Sequence, residues 1–258
     1  MSISVERSDG VATVTLCRPE VHNAFNGELI ADLKREFKSL GADDTVRVIV
    51  LAGAGRSFCA GADLGWMRGM VDQDEATNRK GALNLAGMYA LLDACPKPVV
   101  GRVQGAAIGG GCGLVAVCDI VVAAPRARFG LSEVRLGLAP AVIAPFVVRK
   151  IGTSWARNLF LTGERIGPER AFELGLVHRL VASEDALDAA VSDVVSALLR
   201  GGPVALGACK ILARQADQWT EPSERTASMI ASLRVGAEGQ EGMRAFLEKR
   251  TPSWLEEL

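Results

Sequence analysis

The 258-residue chain carries 29 Lys and Arg residues against 30 Asp and Glu residues, so no strong net field would attract nucleic acid or an anionic membrane. Six cysteines without a C-x-x-C spacing and only two histidines argue against a disulfide framework and a metal site. The first six residues alternate like a strand, so we expect no signal segment, and the longest uncharged run, 103–118, is too short to span a membrane. We therefore expect a cytoplasmic protein. Its length of 258 residues, of which 49% are hydrophobic, predicts one main domain with a helical appendage.

The chain begins with β structure. Residues 2–7 and 11–17 are β-rich runs joined through the turn-forming residues 8–10, and this pattern predicts a hairpin. After Asn26, a candidate N-cap, apolar residues recur every three or four positions, which predicts an amphipathic helix. A buried strand is predicted next, over 46–51.

The remaining pattern predicts an α/β protein whose last third is mainly helical. In chain order we predict a loop at 53–63, a helix at 75–94, a strand at 99–103, a helix start at 109–111, strands at 119–123 and 128–129, and helices at 141–151, 154–161, 168–174, 186–199, 203–216 and within 221–248. Units of two strands and a helix recur without a clear sequence repeat. The pattern indicates a β-rich core over 1–195 and a helical region over 196–258.

Two glycine-rich segments follow predicted strands. Small residues at 57–64 would let a ligand approach the main chain, so that a backbone N–H could bind it; a tight turn is the alternative. The segment 104–112 leads into an apolar helix, whose first N–H groups and dipole suit a developing oxyanion. Close helix packing is the alternative there, and the glycine spacing matches neither a dinucleotide-binding motif nor a P-loop.

A third segment, 129–140, places Glu133 in apolar, glycine-punctuated surroundings. Desolvation would raise the pKa of this carboxyl and make proton transfer near neutral pH feasible. An ion pair with Arg135 or a place at a helix N-terminus is the alternative. Because no G-x-S-x-G motif occurs, a serine hydrolase is not supported.

In this order and spacing, the three segments resemble the crotonase (enoyl-CoA hydratase/isomerase) superfamily, and the resemblance extends to residues 246–250. It implies a crotonase-like α/β spiral of strand-strand-helix units, with C-terminal helices that form a homotrimer, commonly as a dimer of trimers. An acyl-CoA thioester is the implied substrate, and no separate cofactor is implied. Apolar residues in the late helices independently favour self-association.

The resemblance also implies the roles of individual residues. It places the two oxyanion N–H donors at Ala62 and Gly110 and the second catalytic glutamate at Glu133, whereas the first glutamate of typical hydratases is replaced by Gly113. Restoring that carboxylate by Gly113→Glu is expected to recreate the two-glutamate geometry. The implied contacts to CoA are Arg18, Ala24, Ala60, Asp63, Leu64 and, from a neighbouring subunit, Phe246 and Lys249.

The lone glutamate leaves two reactions open. In syn hydration Glu133 takes a proton from water and returns it to C2; in isomerisation it moves a proton between C2 and C4. Residues 131–152 resemble bacterial hydratases of branched glutaconyl-CoA substrates in leucine and isoprenoid breakdown, although 139–145 also resemble the isomerases. Hydration is favoured, and Arg149 and Lys150 are candidate cations for an acidic acyl group. A non-catalytic acyl-CoA-binding or RNA-binding relative is the alternative class, but it would not need Glu133 and no basic stretch is evident.

Overall fold

The computed structural model describes residues 2–255, except for the side chain of Asp217. In chain order its strands and α-helices are β1 (Ile3–Ser8), β2 (Val11–Leu16), α1 (Gly27–Ala42), β3 (Val48–Gly53), α2 (Leu64–Arg68), α3 (Glu75–Asp93), β4 (Val99–Val103), β5 (Ala106–Ile108), α4 (Gly110–Val117), β6 (Ile120–Ala123), β7 (Arg128–Gly130), α5 (Ala144–Thr162), β8 (Arg165–Ile166), α6 (Pro168–Glu173), β9 (Arg179–Leu180), α7 (Leu187–Leu199), α8 (Pro203–Gln215), α9 (Pro222–Val235) and α10 (Ala237–Glu248).

The described strands form two sheets. The larger has the order β1-β2-β3-β4-β6-β9, with the β1–β2 hairpin antiparallel and the later pairs parallel. The smaller has the order β5-β7-β8. The chain alternates between them, because β4 leads to β5 and then α4, and β6 leads to β7 and then α5. The predicted strand-strand-helix units are therefore present.

Helices cover both faces of the larger sheet, so its central strand is buried throughout. In β3, Ile49 and Leu51 face the main core, whereas Val48 and Val50 face a second cluster that includes residues of α7. Alternation of side chains along a strand produces this division. The sequence signal for β3 is accordingly a continuous apolar run, without polar residues at alternate positions.

Helix α1 forms as its sequence predicts. The side chain of Asn26 accepts a hydrogen bond from the N–H of Leu29, which satisfies a backbone donor that has no partner within the helix. Leu29, Leu33 and Leu40 are fully buried and lie along the face that packs against the sheet. The cap and the apolar face agree, so this helix and its start are well specified by the sequence.

The break predicted between the helices 141–151 and 154–161 is confirmed, because α5 consists of two helical segments joined by a kink at Gly152, which has a φ of 75°. The structure differs from the predicted elements in two places. The strand predicted at 46–51 begins two residues later, because the N–H of Val46 closes a turn onto Asp43. The sequence analysis also missed α2, β5, β8 and β9, which are too short to show a period.

The last three helices expose apolar side chains. None of the residues of α8 or α9 is buried, and Val235 and Phe246 are 78% and 82% exposed. Within residues 2–255, no single helix has the length and apolar character to cross a membrane, whereas the pair Glu184–Leu199 and Pro203–Gln215, bent by 105°, meets the criterion by length and composition together. The division of the chain at residue 195 stays a prediction.

Candidate active site

The three segments selected from the sequence meet at one cavity of about 420 Å³. The loop after β3 contributes Ala60 and Ala62, the start of α4 contributes Gly110, and the loop after β7 contributes Ser132 and Glu133. Most of the other lining side chains are apolar. The cavity is therefore an apolar pocket in which one carboxylate and exposed backbone groups lie together, as in many small-molecule sites.

Two backbone N–H groups at this cavity are free to bind a ligand. Gly110 is the first residue of α4, so its N–H has no acceptor within the helix. Ala62 lies between two backbone hydrogen bonds, from Phe25 to Gly61 and from Asp63 to Phe25, and neither uses the Ala62 N–H. In the part of the chain that the structure describes, no acceptor is found for either group. Convergence of the two donors on one oxygen stays a prediction.

Glycine allows the two donor segments to pack backbone against backbone. A Cβ on Gly111 would lie 2.0 Å from the carbonyl oxygen of Cys59, and Gly61, with a φ of 94°, faces the carbonyl of Ile108. Hydrogen bonds from Cys59 to Ala106 (2.9 Å) and from Ile108 to Cys59 (3.0 Å) join the segments directly. The donors therefore lie on backbone that is fixed from both sides, which is the preorganisation that an oxyanion site requires.

Glu133 enters the cavity as the first residue of a short 3₁₀ turn after β7. Its Oε2 is buried without a hydrogen-bond partner, and its Oε1 faces Gly109, where a Cβ would lie 3.1 Å away. Burial raises the pKa of this carboxyl above its ordinary value. Among residues 2–255 no Lys or Arg forms an ion pair with it, so the pair with Arg135 considered from the sequence is absent.

Gly113 faces closely packed side chains, and one of them, Ile143, also lines the cavity. A Cβ added there would lie 2.4 Å from Cγ2 of Ile143 and 3.0 Å from Cε1 of Tyr89. These distances are below van der Waals contact, and the branched Ile143 side chain has little freedom to move away. Recreating the two-carboxylate geometry by Gly113→Glu therefore requires Ile143 to move, and it stays a prediction.

Tyr89, which the sequence analysis missed, supports the start of α4. Its hydroxyl donates a 2.7 Å hydrogen bond to the carbonyl of Gly110, and its ring packs edge-on against Phe25 at 6.2 Å. The side chain is fully buried, and burial raises the pKa of the phenol, which keeps it a neutral donor. It is the one tyrosine in the chain, but nothing in the sequence of the predicted helix at 75–94 distinguishes it from an ordinary core residue.

The predicted CoA contacts divide into two groups. Ala60 and Leu64 line the cavity. The others do not: Arg18, Ala24, Asp63 and, at the end of α10, Phe246 and Lys249. Arg18 donates to the carbonyl of Ala24 (2.6 Å) and forms a 2.8 Å ion pair with Asp63, whose carboxylate also caps α2.

Arg18 therefore ties the N-terminal turn to the first donor loop. Its hydrogen bond is the main cause that lowers the pKa of Asp63. Contact of any of these residues with CoA stays a prediction.

The candidate cations for an acidic substrate lie elsewhere. Arg149 pairs with Asp93 on a separate surface cavity, and Lys150 donates to the carbonyls of Cys118 and Asp119 at the carboxyl end of α4. Neither of these two possible cations lines the substrate cavity. Among the described residues the cation that lines it is Arg165, which the sequence analysis did not select.

Comparisons with known proteins bear on the family and the fold of this chain. The family model described as enoyl-CoA hydratase/isomerase matches residues 6–257. The crystal structure of an enoyl-CoA hydratase from Shewanella pealeana superposes with a TM-score of 0.95 and 39% identity, covering 98% of this chain and 96% of that one. This similarity confirms the predicted crotonase-like α/β fold.

Two curated relatives match over almost their whole length. The 2,3-dehydroadipyl-CoA hydratase of Escherichia coli K12 is 35% identical, with 97% of each chain covered. The trans-2-decenoyl-[acyl-carrier-protein] isomerase of Streptococcus mutans is 32% identical, with 95% of each chain covered. The similar proteins thus include both hydratases and isomerases.

Proposed function

Because the chain belongs to the enoyl-CoA hydratase/isomerase family, we propose that it adds water across the 2,3 double bond of a short or branched enoyl-CoA, with Glu133 as its only proton carrier. One observation carries this proposal: the buried, unpartnered Oε2 of Glu133 lies in the same cavity as the unbonded N–H groups of Ala62 and Gly110. An acid–base group and a pair of oxyanion donors are the parts that enolate chemistry requires.

The backbone donors polarise the thioester. When its carbonyl oxygen accepts the N–H groups of Ala62 and Gly110, electron density moves toward that oxygen and C3 of the enoyl group becomes electrophilic. The negative charge of the resulting enolate lies at the oxygen, next to the start of α4 and its helix dipole. By analogy with other oxyanion sites, each donor contributes about 3 kcal/mol to the transition state.

Glu133 then accounts for both proton transfers. Its carboxylate takes a proton from a water molecule while the water oxygen forms the bond to C3 and the π electrons move into the enolate. The protonated Glu133 returns that proton to C2 as the enolate collapses to the thioester. Water is consumed and Glu133 is regenerated as a carboxylate. Its raised pKa favours this cycle, since proton carriers work best near the operating pH.

The packing around Gly113 supports a single-carboxylate mechanism. Ile143 and Tyr89 occupy the space beside that glycine, and no other Asp or Glu of the described chain lines the cavity. Addition of the hydroxyl and the proton on the same face of the double bond needs only one carrier, because one water supplies both. The single carboxylate at this cavity therefore supports syn hydration.

Double-bond isomerisation is the second candidate. The same carboxylate could remove a proton from C2 and return it at C4, with the same enolate held by the backbone donors. The similarity to a streptococcal isomerase supports it. The two reactions differ in one respect that can be measured, because hydration increases the mass of the substrate by one water and isomerisation leaves it unchanged.

We further propose a branched glutaconyl-CoA substrate and a homotrimer or dimer of trimers. The similarity of residues 131–152 to glutaconyl-type hydratases supports the substrate, and the exposed apolar side chains of α8, α9 and α10 support the assembly. In such an assembly Phe246 and Lys249 would contact CoA bound by a neighbouring subunit, since they do not line the cavity of their own chain.

A substrate panel tests the reaction. The enzyme is incubated with crotonyl-, 3-methylcrotonyl-, 3-methylglutaconyl- and 3-enoyl-CoA. The molecular mass of each product is then measured by mass spectrometry. We expect a gain of one water on at least one of the 2-enoyl thioesters. Conversion of 3-enoyl-CoA without any mass change, together with no water added to the others, would establish the isomerase instead.

A further inference from the structure

The substrate cavity contains a cation that the proposed reaction does not use. Its lining is largely apolar, and the side chains with a hydroxyl, carboxylate or guanidinium group are Ser132, Glu133 and Arg165. Glu133 carries the proton. Nothing in the addition of water to an uncharged enoyl chain requires a guanidinium in this pocket.

Strand pairing holds Arg165 beside the catalytic loop. Arg165 in β8 pairs with Gly130 in β7, three residues before Glu133. A Cβ on Gly130 would lie 3.2 Å from Cγ of Arg165, so the stem of the arginine packs over the bare glycine. Glu133 and Arg165 therefore lie on adjacent segments that both line the cavity, and Arg165 is also exposed to solvent.

The guanidinium has no acidic partner in the described chain. No carboxylate of residues 2–255 lies within ion-pair distance of Arg165, including that of its neighbour Glu164. The raised pKa of Glu133 has burial as its cause, and no arginine opposes it. Arg165 thus does not neutralise Glu133, although both line one cavity.

A substrate carboxylate would complete this arrangement. A guanidinium binds a carboxylate through two parallel hydrogen bonds. This pair is stronger and more directional than the contact that a lysine makes with a carboxylate. A thioester whose carbonyl oxygen lies at Ala62 and Gly110 places C2 and C3 beside Glu133. Its acyl chain then continues within the cavity, where Arg165 is the available cation.

We propose that Arg165 recognises a carboxylate at the far end of the acyl chain, so that the preferred substrate is the CoA thioester of an unsaturated dicarboxylic acid. This inference rests on the proposed function, because it takes the thioester to lie with its carbonyl at the two backbone donors. Arg165 is a specificity residue in this account and takes no part in the proton transfers.

The test compares two thioesters that differ only in the terminal carboxylate. Glutaconyl-CoA has five acyl carbons and a carboxylate, and pent-2-enoyl-CoA has the same carbon skeleton ending in a methyl group. The ratio of their kcat/KM values is measured for the wild-type enzyme, Arg165→Met and Arg165→Lys. Arg157→Met is the control, since Arg157 is exposed and does not line the cavity.

We expect Arg165→Met to lower the ratio by about tenfold or more, which is the usual range for losing a charge-assisted hydrogen bond. Arg165→Lys should lower it less, and Arg157→Met should not change it. A ratio that Arg165→Met leaves unchanged would overturn the inference, as would a wild-type preference for the uncharged thioester.

Binding separates this inference from the proposed reaction. The dissociation constants of both thioesters are measured by calorimetry for Glu133→Gln and for the double variant Glu133→Gln with Arg165→Met. A loss of about tenfold confined to glutaconyl-CoA supports carboxylate recognition even if the wild-type enzyme adds no water, in which case only the proposed reaction fails. An equal effect on both thioesters would overturn the role of Arg165.

Discussion

The cavity wall around Glu133 and the helix face around Gly113 have opposite chemistry. At Glu133 a buried carboxylate oxygen has no partner and burial raises the pKa of the group. At Gly113 a glycine packs against Ile143 and Tyr89 so closely that even a methyl group would overlap them. The enzyme therefore differs from a two-glutamate hydratase by more than one residue, because Ile143 and Tyr89 occupy the space beside Gly113.

Removing the carboxylate at Glu133 should have the largest effect on activity. Glu133→Gln keeps the shape of the side chain but cannot carry a proton, so kcat should fall by about 10²–10⁴-fold while thioester binding stays nearly intact. Steady-state kinetics and calorimetry with the same substrate measure both. Glu164→Gln is the matched control, as Glu164 is exposed and does not line the cavity. Near-normal turnover by Glu133→Gln would mean that another group moves the proton.

Adding a carboxylate at Gly113 should affect stability first. Gly113→Glu introduces both overlap and a charge into a packed region, so the free energy of unfolding should fall by about 3 kcal/mol. Denaturant titration measures it. The control is Gly81→Glu in α3, where nothing lies within 4 Å of the added Cβ, and this variant should unfold near the wild-type midpoint. Equal stability of the two variants would contradict the packing described for Ile143.

Making room for the new side chain sharpens the same contrast. In the double variant Gly113→Glu with Ile143→Gly, the overlap with Cγ2 is removed, although Tyr89 still limits the space. Because Ile143→Gly is itself destabilising, we expect the double variant to lose less stability than the two single variants lose together, and to add water to simple enoyl-CoA faster than Gly113→Glu does. Losses of stability that simply add would show that Ile143 is not the obstacle.

The hydroxyl of Tyr89 should have the smallest effect. Tyr89→Phe removes the hydrogen bond to the carbonyl of Gly110 and leaves the ring in place, which costs about 1 kcal/mol and should lower kcat several-fold by loosening the start of α4. The pH dependence of the reaction should not change, because the phenol is not a proton carrier here. A changed pH dependence in Tyr89→Phe would give this residue a chemical role.

The sequence was sufficient to predict a helix or a strand where the local signals and the packing agree. The Asn26 cap and the apolar face of α1 predicted a helix that the structure contains within two residues, and the strand at 99–103 has the predicted limits. The three functional segments could also be selected, because glycines next to strands and an acid in apolar surroundings are local patterns. Their meeting at one cavity followed only from the family resemblance.

What the sequence could not show depends on contacts between distant segments. Ile143 lies thirty positions from Gly113, and no local pattern indicates that its methyl group occupies the space beside that glycine. Arg165 belongs to a two-residue strand that has no period of its own. Arg149 and Lys150 were chosen as cations for their charge, yet the orientation of α5 directs them to another surface.

The dependence of kcat/KM on pH tests the single-carboxylate account most directly. Glu133 must be ionised to take a proton from water, so activity should be lost as pH falls through its pKa, with one acidic limb of unit slope and a midpoint above 4.5, the ordinary value for a glutamate. With a substrate that has no carboxylate of its own, such as pent-2-enoyl-CoA, no second ionisation should appear on that limb. A limb that reports two groups, or a midpoint at or below 4.5, would contradict the assignment of both proton transfers to Glu133.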